Sequence, residues 1–168
     1  YLERAVMTGI TRISKESMFS DLNNLQVITV TSDKYNTCFG FTEKEVFQAL
    51  DEFGLSDERE NVKKWYDGFV FGSQRDIYNP WSITGFLDSR KYQSYWTATS
   101  SNNMAGRLIQ TASAEVKKQM EELLQGKEIV VHFDEQIVFT QLDTNETAIW
   151  SLLMASGYLR AECVEYLG

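Results

Sequence analysis

The residues able to do chemistry are few and scattered along the 168-residue chain. A nucleophilic site needs a Ser, Thr or Cys whose proton a base within hydrogen-bond reach can take. His132 is the single histidine, and Cys38 and Cys163 lie far apart, so no Cys-His or Ser-His spacing of that kind is present. His132 therefore reads as a structural or surface side chain. Without CxxC spacing the cysteines suggest neither a zinc knuckle nor a disulfide framework, and two buried free thiols are expected. Glu115-Val116-Lys117 carries the ExK letters of some nucleases. It falls near the start of an expected helix, without a metal-binding Asp on a preceding strand, and reads as a solvated helix face.

Phosphate chemistry is equally incomplete. A nucleotide-hydrolysing site needs a glycine-rich loop ending in Lys-Ser or Lys-Thr, and an acidic residue after an apolar strand to hold magnesium. No GxxxxGK run followed by Ser or Thr occurs. Val131-His132-Phe133-Asp134-Glu135 resembles the acidic strand end superficially, but no phosphate loop lies upstream of it. The chain as given is thus expected to have no catalytic residues, no metal ligands and no hydrolytic activity of its own. The aromatic clusters Trp65-Tyr66-Asp67-Gly68-Phe69, Tyr78-Asn79-Pro80-Trp81 and Tyr95-Trp96 could stack on bases. They lack interleaved basic residues, so core packing is the better account. Asp67-Gly68 reads as a turn pair and Asn79 as a helix cap.

Composition sets the bounds within which these residues must be positioned. With 43% apolar and 13% aromatic residues the chain can build one good core or two small ones. A net charge of −8 argues against a phosphate-neutralising surface, so a nucleic-acid partner is not expected. No run approaches the roughly 18–20 apolar residues of a membrane span, which excludes a membrane partner and points to a soluble, cytoplasmic protein. The chain starts at Tyr1 and stops just after an apolar segment, which reads as a piece of a longer polypeptide.

The elements follow from local chemistry. Val6 to Ile13 is β-rich and predicts a strand, with a loop or short turn over Ser17 to Asn24. Phe41-Thr42-Glu43-Lys44-Glu45-Val46 has the residues of a capping box with a hydrophobic staple and predicts a helix, ended by Gly54. Ser56 offers a second cap for a helix to about Tyr66. Phe69-Val70-Phe71 and Ile77-Tyr78 flank Gly72 to Asp76 as a small hairpin or as two extended segments around a polar loop. Asn79-Pro80 starts another helix, with Ile83, Phe86 and Leu87 inward. Ser100 or Ser101, and then Ser113, cap two more, the latter with Val116, Met120, Leu123 and Leu124 on one face and Gly126 as its stop. Ile129 to Phe133 alternates like a strand, and Ile137 to Phe139 is a weaker one. Asp143 and Glu146 open a last helix with the stripe Ala148, Ile149, Leu152 and Leu153, closed by Gly157 before a strand at Tyr158-Leu159. The sum is a mainly helical α+β chain with short strands.

Seven segments in order carry a resemblance. They are Val6-Met7-Thr8-Gly9-Ile10, Phe19 to Leu25, Phe39-Gly40-Phe41-Thr42, Trp65-Tyr66-Asp67-Gly68, Tyr78-Asn79-Pro80-Trp81-Ser82, Tyr95-Trp96 and Ser156-Gly157-Tyr158-Leu159. This series resembles the AAA-ATPase-like domain family, P-loop ATPase-like proteins often followed by a nuclease-like domain of PD-(D/E)xK type, and only the C-terminal part of its ATPase domain. The resemblance implies that residues 1–30 are the remnant of an ATPase core, one strand of a truncated P-loop-type sheet and its following loop. Residues 31–168 would form a helical lid-type region with a winged-helix-like element. Thr8 would end the sensor-1-like strand facing the γ-phosphate, and Arg12 would be a cation in the same neighbourhood. ATP and magnesium are implied for the full-length protein only. The implied partners are the upstream P-loop core, a downstream nuclease-like domain of the same chain, and a protein partner. Thus the chain would be the sensor and lid portion that couples nucleotide state to a neighbouring domain. The alternative is a non-enzymatic module binding protein or nucleic acid.

Overall fold

A computed structural model of the chain describes residue 6 and residues 26–96, 102–134 and 147–165. The chain is mixed α and β, with six helices and a three-stranded antiparallel sheet among these residues. It packs as two compact units, Gln26–Asn103 with Arg160–Gly168, and Tyr1–Leu25 with Met104–Leu159. The strand expected over Val6 to Ile13, the loop over Ser17 to Asn24, the caps Ser100 and Ser101, the strand Ile137 to Phe139 and the start at Asp143 and Glu146 lie outside the described residues, apart from Val6.

The unit that begins at Gln26 opens with β1 (Phe41–Thr42) and α1 (Glu43–Glu52). The capping box forms as its residues require: the Glu45 N–H donates to Thr42 Oγ1, and the Thr42 N–H donates to Glu45 Oε2 at 2.8 Å. Gly54 follows at φ +69°, a conformation that costs glycine nothing. Next comes a 3₁₀ turn over Ser56–Glu58, and then α2 (Arg59–Tyr66). Ser56 does not cap. Its hydroxyl donates to Asp51 Oδ1, and Arg59 grips both oxygens of the same carboxylate, so the oxygen that would have capped is turned back onto α1.

Strands β2 (Asp67–Phe71) and β3 (Gln74–Tyr78) form the hairpin, and α3 (Pro80–Ser89) follows with the Asn79 side chain accepting from the Ser82 N–H. The sheet order is β1-β3-β2. Strand, helix, turn, helix and hairpin, with the first strand paired to the last, is the order of a winged-helix-like element in which α1 and α2 make the helix-turn-helix and β2–β3 the wing. Between β2 and β3 the register shifts twice in opposite senses. From the Asp67–Tyr78 pair to Phe69–Ile77 the extra residue is on β2, and from there to Phe71–Gln74 it is on β3. The two shifts cancel and leave Asp76 at φ +56° inside the second bulge. The core here is Val46, Leu50, Val62, Tyr66, Tyr78, Ile83 and Phe86, with Phe41, Leu87, Tyr92 and Tyr95 packed against it.

In the other unit, α5 (Ala114–Leu124) and α6 (Ala148–Ala155) supply the core of Val116, Ile149, Trp150 and Leu153, and Leu108 and Ile109 of α4 (Asn102–Thr111) pack against it. Ser113 caps α5 through the Val116 N–H, and Gly126 follows it at φ +79°. Three expectations change here. Leu124 points to solvent at 83% exposure although Val116, Met120 and Leu123 pack inward. Residues 129–133 form no strand: Ile129 and Val131 reach the core and Val130 is fully exposed, as alternation demands. The Asp134 N–H donates to the Ser151 hydroxyl at 2.9 Å instead of joining a ladder. Tyr158-Leu159 is likewise no strand, because both N–H groups turn back to the Leu153 carbonyl at the end of α6.

Candidate functional site

Thr8 and Arg12, the residues that the resemblance assigns to nucleotide sensing, lie outside the described residues. His132 is exposed, as are Glu115 and Lys117 on either side of buried Val116, so the ExK letters do sit on a solvated helix face. Cys38 and Cys163 are free but exposed, not buried as expected. Cys38 sits in a turn whose own hydrogen bonds, such as the Cys38 N–H to the Tyr35 carbonyl at 3.0 Å, shape it without a core to enter. The aromatic clusters divide. Tyr66, Tyr78 and Tyr95 serve the core, while Trp65 and Trp81 are 52% and 65% exposed.

What the fold does assemble is a charged seam that single-residue reasoning missed. Glu43 starts α1, Lys63 is one turn from the end of α2, Asp67 opens β2, and Asp76 and Tyr78 lie on β3. The Lys63 ammonium and the buried Tyr78 hydroxyl both donate to Glu43 Oε2, the latter at 3.3 Å. Lys63 also stands 3.6 Å from Asp76 Oδ1. Asp67 is not the turn residue expected; it is extended and paired with Tyr78. The signal for this seam lies in the register of β2 on β3, which no local spacing encodes.

The protonation states decide what the seam can do. The Glu43 hydrogen bond holds the Lys63 ammonium above its ordinary value, so this lysine is no amine nucleophile or base, which would need the opposite shift. Burial, reinforced by Asp67 and Glu43, pushes the Tyr78 hydroxyl up and keeps it protonated. Burial first, and then the Asp76 carboxylate, raise Asp67 above the usual carboxylate range. The seam therefore ties two helices to two strands and holds its protons. Among the described residues no three His, Cys, Asp or Glu side chains converge to hold a metal ion. The resemblance implies magnesium for the full-length protein and assigns it no ligand in this chain.

The outer face of α2, the second helix of the helix-turn-helix, carries exposed Glu60, Asn61, Lys64 and Trp65. Its charges of opposite sign supply no phosphate-neutralising stripe. Among the described residues no helix is long and apolar enough to cross a membrane.

No protein-family profile matches the chain, and no solved structure does. An uncharacterised protein encoded in the vnfD 5′ region of Azotobacter chroococcum mcd 1 is 25% identical over 164 residues. The alignment takes in 98% of this chain and 30% of that relative, so the chain spans under a third of the relative's length.

Proposed function

We propose that the chain is the sensor and lid portion of a larger AAA-ATPase-like protein, passing nucleotide state to a neighbouring domain rather than hydrolysing nucleotide itself. One observation carries this reading. Phe41, Tyr66, Tyr78 and Tyr95, from four of the seven segments on which the resemblance rests, meet around a single core. These four segments therefore act as scaffold, which is what a covering region requires. A relative more than three times as long as the stretch it shares with this chain leaves room for a P-loop core and a nuclease-like domain. Exposed free thiols at Cys38 and Cys163 suit a reducing compartment, which supports a cytoplasmic location. Thr8→Ala and Arg12→Ala in the full-length protein test the reading. Both are expected to weaken ATP binding or turnover, and unchanged values would sink the sensor assignment.

A second reading, a non-enzymatic interaction module, is favoured by the solvent-facing Trp65 and Lys64 on α2. Trp65→Ala would then abolish partner capture while leaving ATP turnover of the full-length protein intact.

A further inference from the structure

We propose that the tip of the β2–β3 hairpin is an internal clasp fixing both stretches of chain that enter this unit, residues 26–33 and residues 160–162. The Gly72 N–H donates to the Val30 carbonyl at 2.8 Å, and the Ser73 N–H donates to Asp33 Oδ1 at 2.7 Å. Gly72 stands at φ +54°, and a Cβ there would lie 2.5 Å from Asp33 Oδ1 and 2.7 Å from the Ser32 carbonyl oxygen. Glycine is needed at this point for conformation and for close approach alike. The clasping segment is itself shaped before it docks: the Ser32 N–H donates to the Thr29 carbonyl at 3.1 Å, and the Thr29 N–H donates to the Ser32 hydroxyl at 3.0 Å. On the other side Arg75 pairs with Glu162 at 3.2 Å, and Glu162 is held in turn by Arg160 at 2.7 Å.

These contacts give the hairpin an unusual duty for a wing. Both turn N–H groups, which a free wing would offer to a ligand, are taken by the chain's own upstream segment. The clasped residues Val30, Asp33 and Glu162 follow closely on the two points, Gln26 and Arg160, where the chain enters this unit. A displacement of either connection must therefore pull on the hairpin, and β3 leads through Asn79 directly into α3. The clasp stands on its geometry alone; its use as a relay for nucleotide state rests on the function proposed above.

The two sides differ in strength. The entry side has two backbone donors, one of them on a carboxylate, and such charge-assisted bonds are the stronger kind. The return side is an exposed ion pair, a kind that contributes little. Hydrogen exchange read by mass spectrometry on the full-length protein tests the proposal without nucleotide. Asp33→Ala is expected to speed exchange about tenfold in peptides covering 26–36 and 71–75, leaving α1 and α2 protected. Glu162→Ala should act weakly, and on 160–165 alone. Asp33→Asn keeps the shape, should give the same local pattern at smaller amplitude, and stands in if the alanine variant does not fold. Unchanged exchange in 26–36, or an increase spread equally over α1 and α2, would overturn the clasp. Loss of the nucleotide reading would leave these exchange patterns untouched, so the two ideas fail separately.

Discussion

Asp67 at the start of β2 and Asp76 in a left-handed bulge of β3 lie on neighbouring strands, and the Asp67 carboxyl is raised by burial first and by Asp76 second. Burial disfavours the ionised form of Asp67, and a second carboxylate nearby acts in the same direction. The sign of the stability effect follows. Asp67 binds its proton more tightly folded than unfolded, so its contribution to stability falls as pH rises from the ordinary Asp range, about 4, through the raised folded value. Asp67→Asn should match wild type below that window and melt at a higher temperature above it. Equal destabilisation at every pH would show that the carboxyl matters as a hydrogen-bond partner and not through its charge.

Asp76→Asn probes the same pair from the other side. Asparagine tolerates a positive φ well, and the substitution removes the charge that, after burial, raises Asp67. Carbon-detected titration should find Asp67 closer to an ordinary aspartate in this variant. No change in its titration would mean that burial alone is responsible.

Thr42→Ala removes the hydroxyl that accepts from the Glu45 N–H. The expected loss is about 1 kcal/mol, visible in chemical denaturation as a lower midpoint with an unchanged slope. A loss within error would mean that the packing of Val46 and Leu50 holds α1 without its cap.

These cases divide along the range of the information involved. Thr42, Gly54, Asn79, Pro80, Ser113 and Gly126 act on backbone within a few residues, and their roles are legible from spacing. Ser56 has the right type for a cap, but Asp51 of the preceding helix takes its hydroxyl. Ile129 to Phe133 has the right alternation, yet a strand also needs a partner, and alternation does not supply one. The seam of Glu43, Lys63, Asp67 and Asp76 depends on two cancelling register shifts that only the folded hairpin sets. The sensing residues Thr8 and Arg12 rest on resemblance alone.

Cys38 and Cys163 carry a prediction about access. Both are exposed, so iodoacetamide should label them in the folded protein without denaturant, as read by mass spectrometry of the two peptides. Labelling that waits for denaturant would put both thiols under cover in the whole protein.

Tyr78 and Leu50 set the polar seam against the core. Both are fully buried in the same cluster. Tyr78→Phe keeps the ring and deletes the hydroxyl that donates to Glu43, which retains Lys63 as a donor. No buried acceptor is orphaned, so the cost should stay near the net worth of one hydrogen bond, about 1 kcal/mol. Leu50→Ala removes a side chain that nothing can replace and leaves a cavity, at about 2–5 kcal/mol. Denaturation midpoints should therefore fall further for Leu50→Ala. The reverse order would mean that the Glu43–Lys63–Tyr78 network, and not apolar packing, holds α1 against β3.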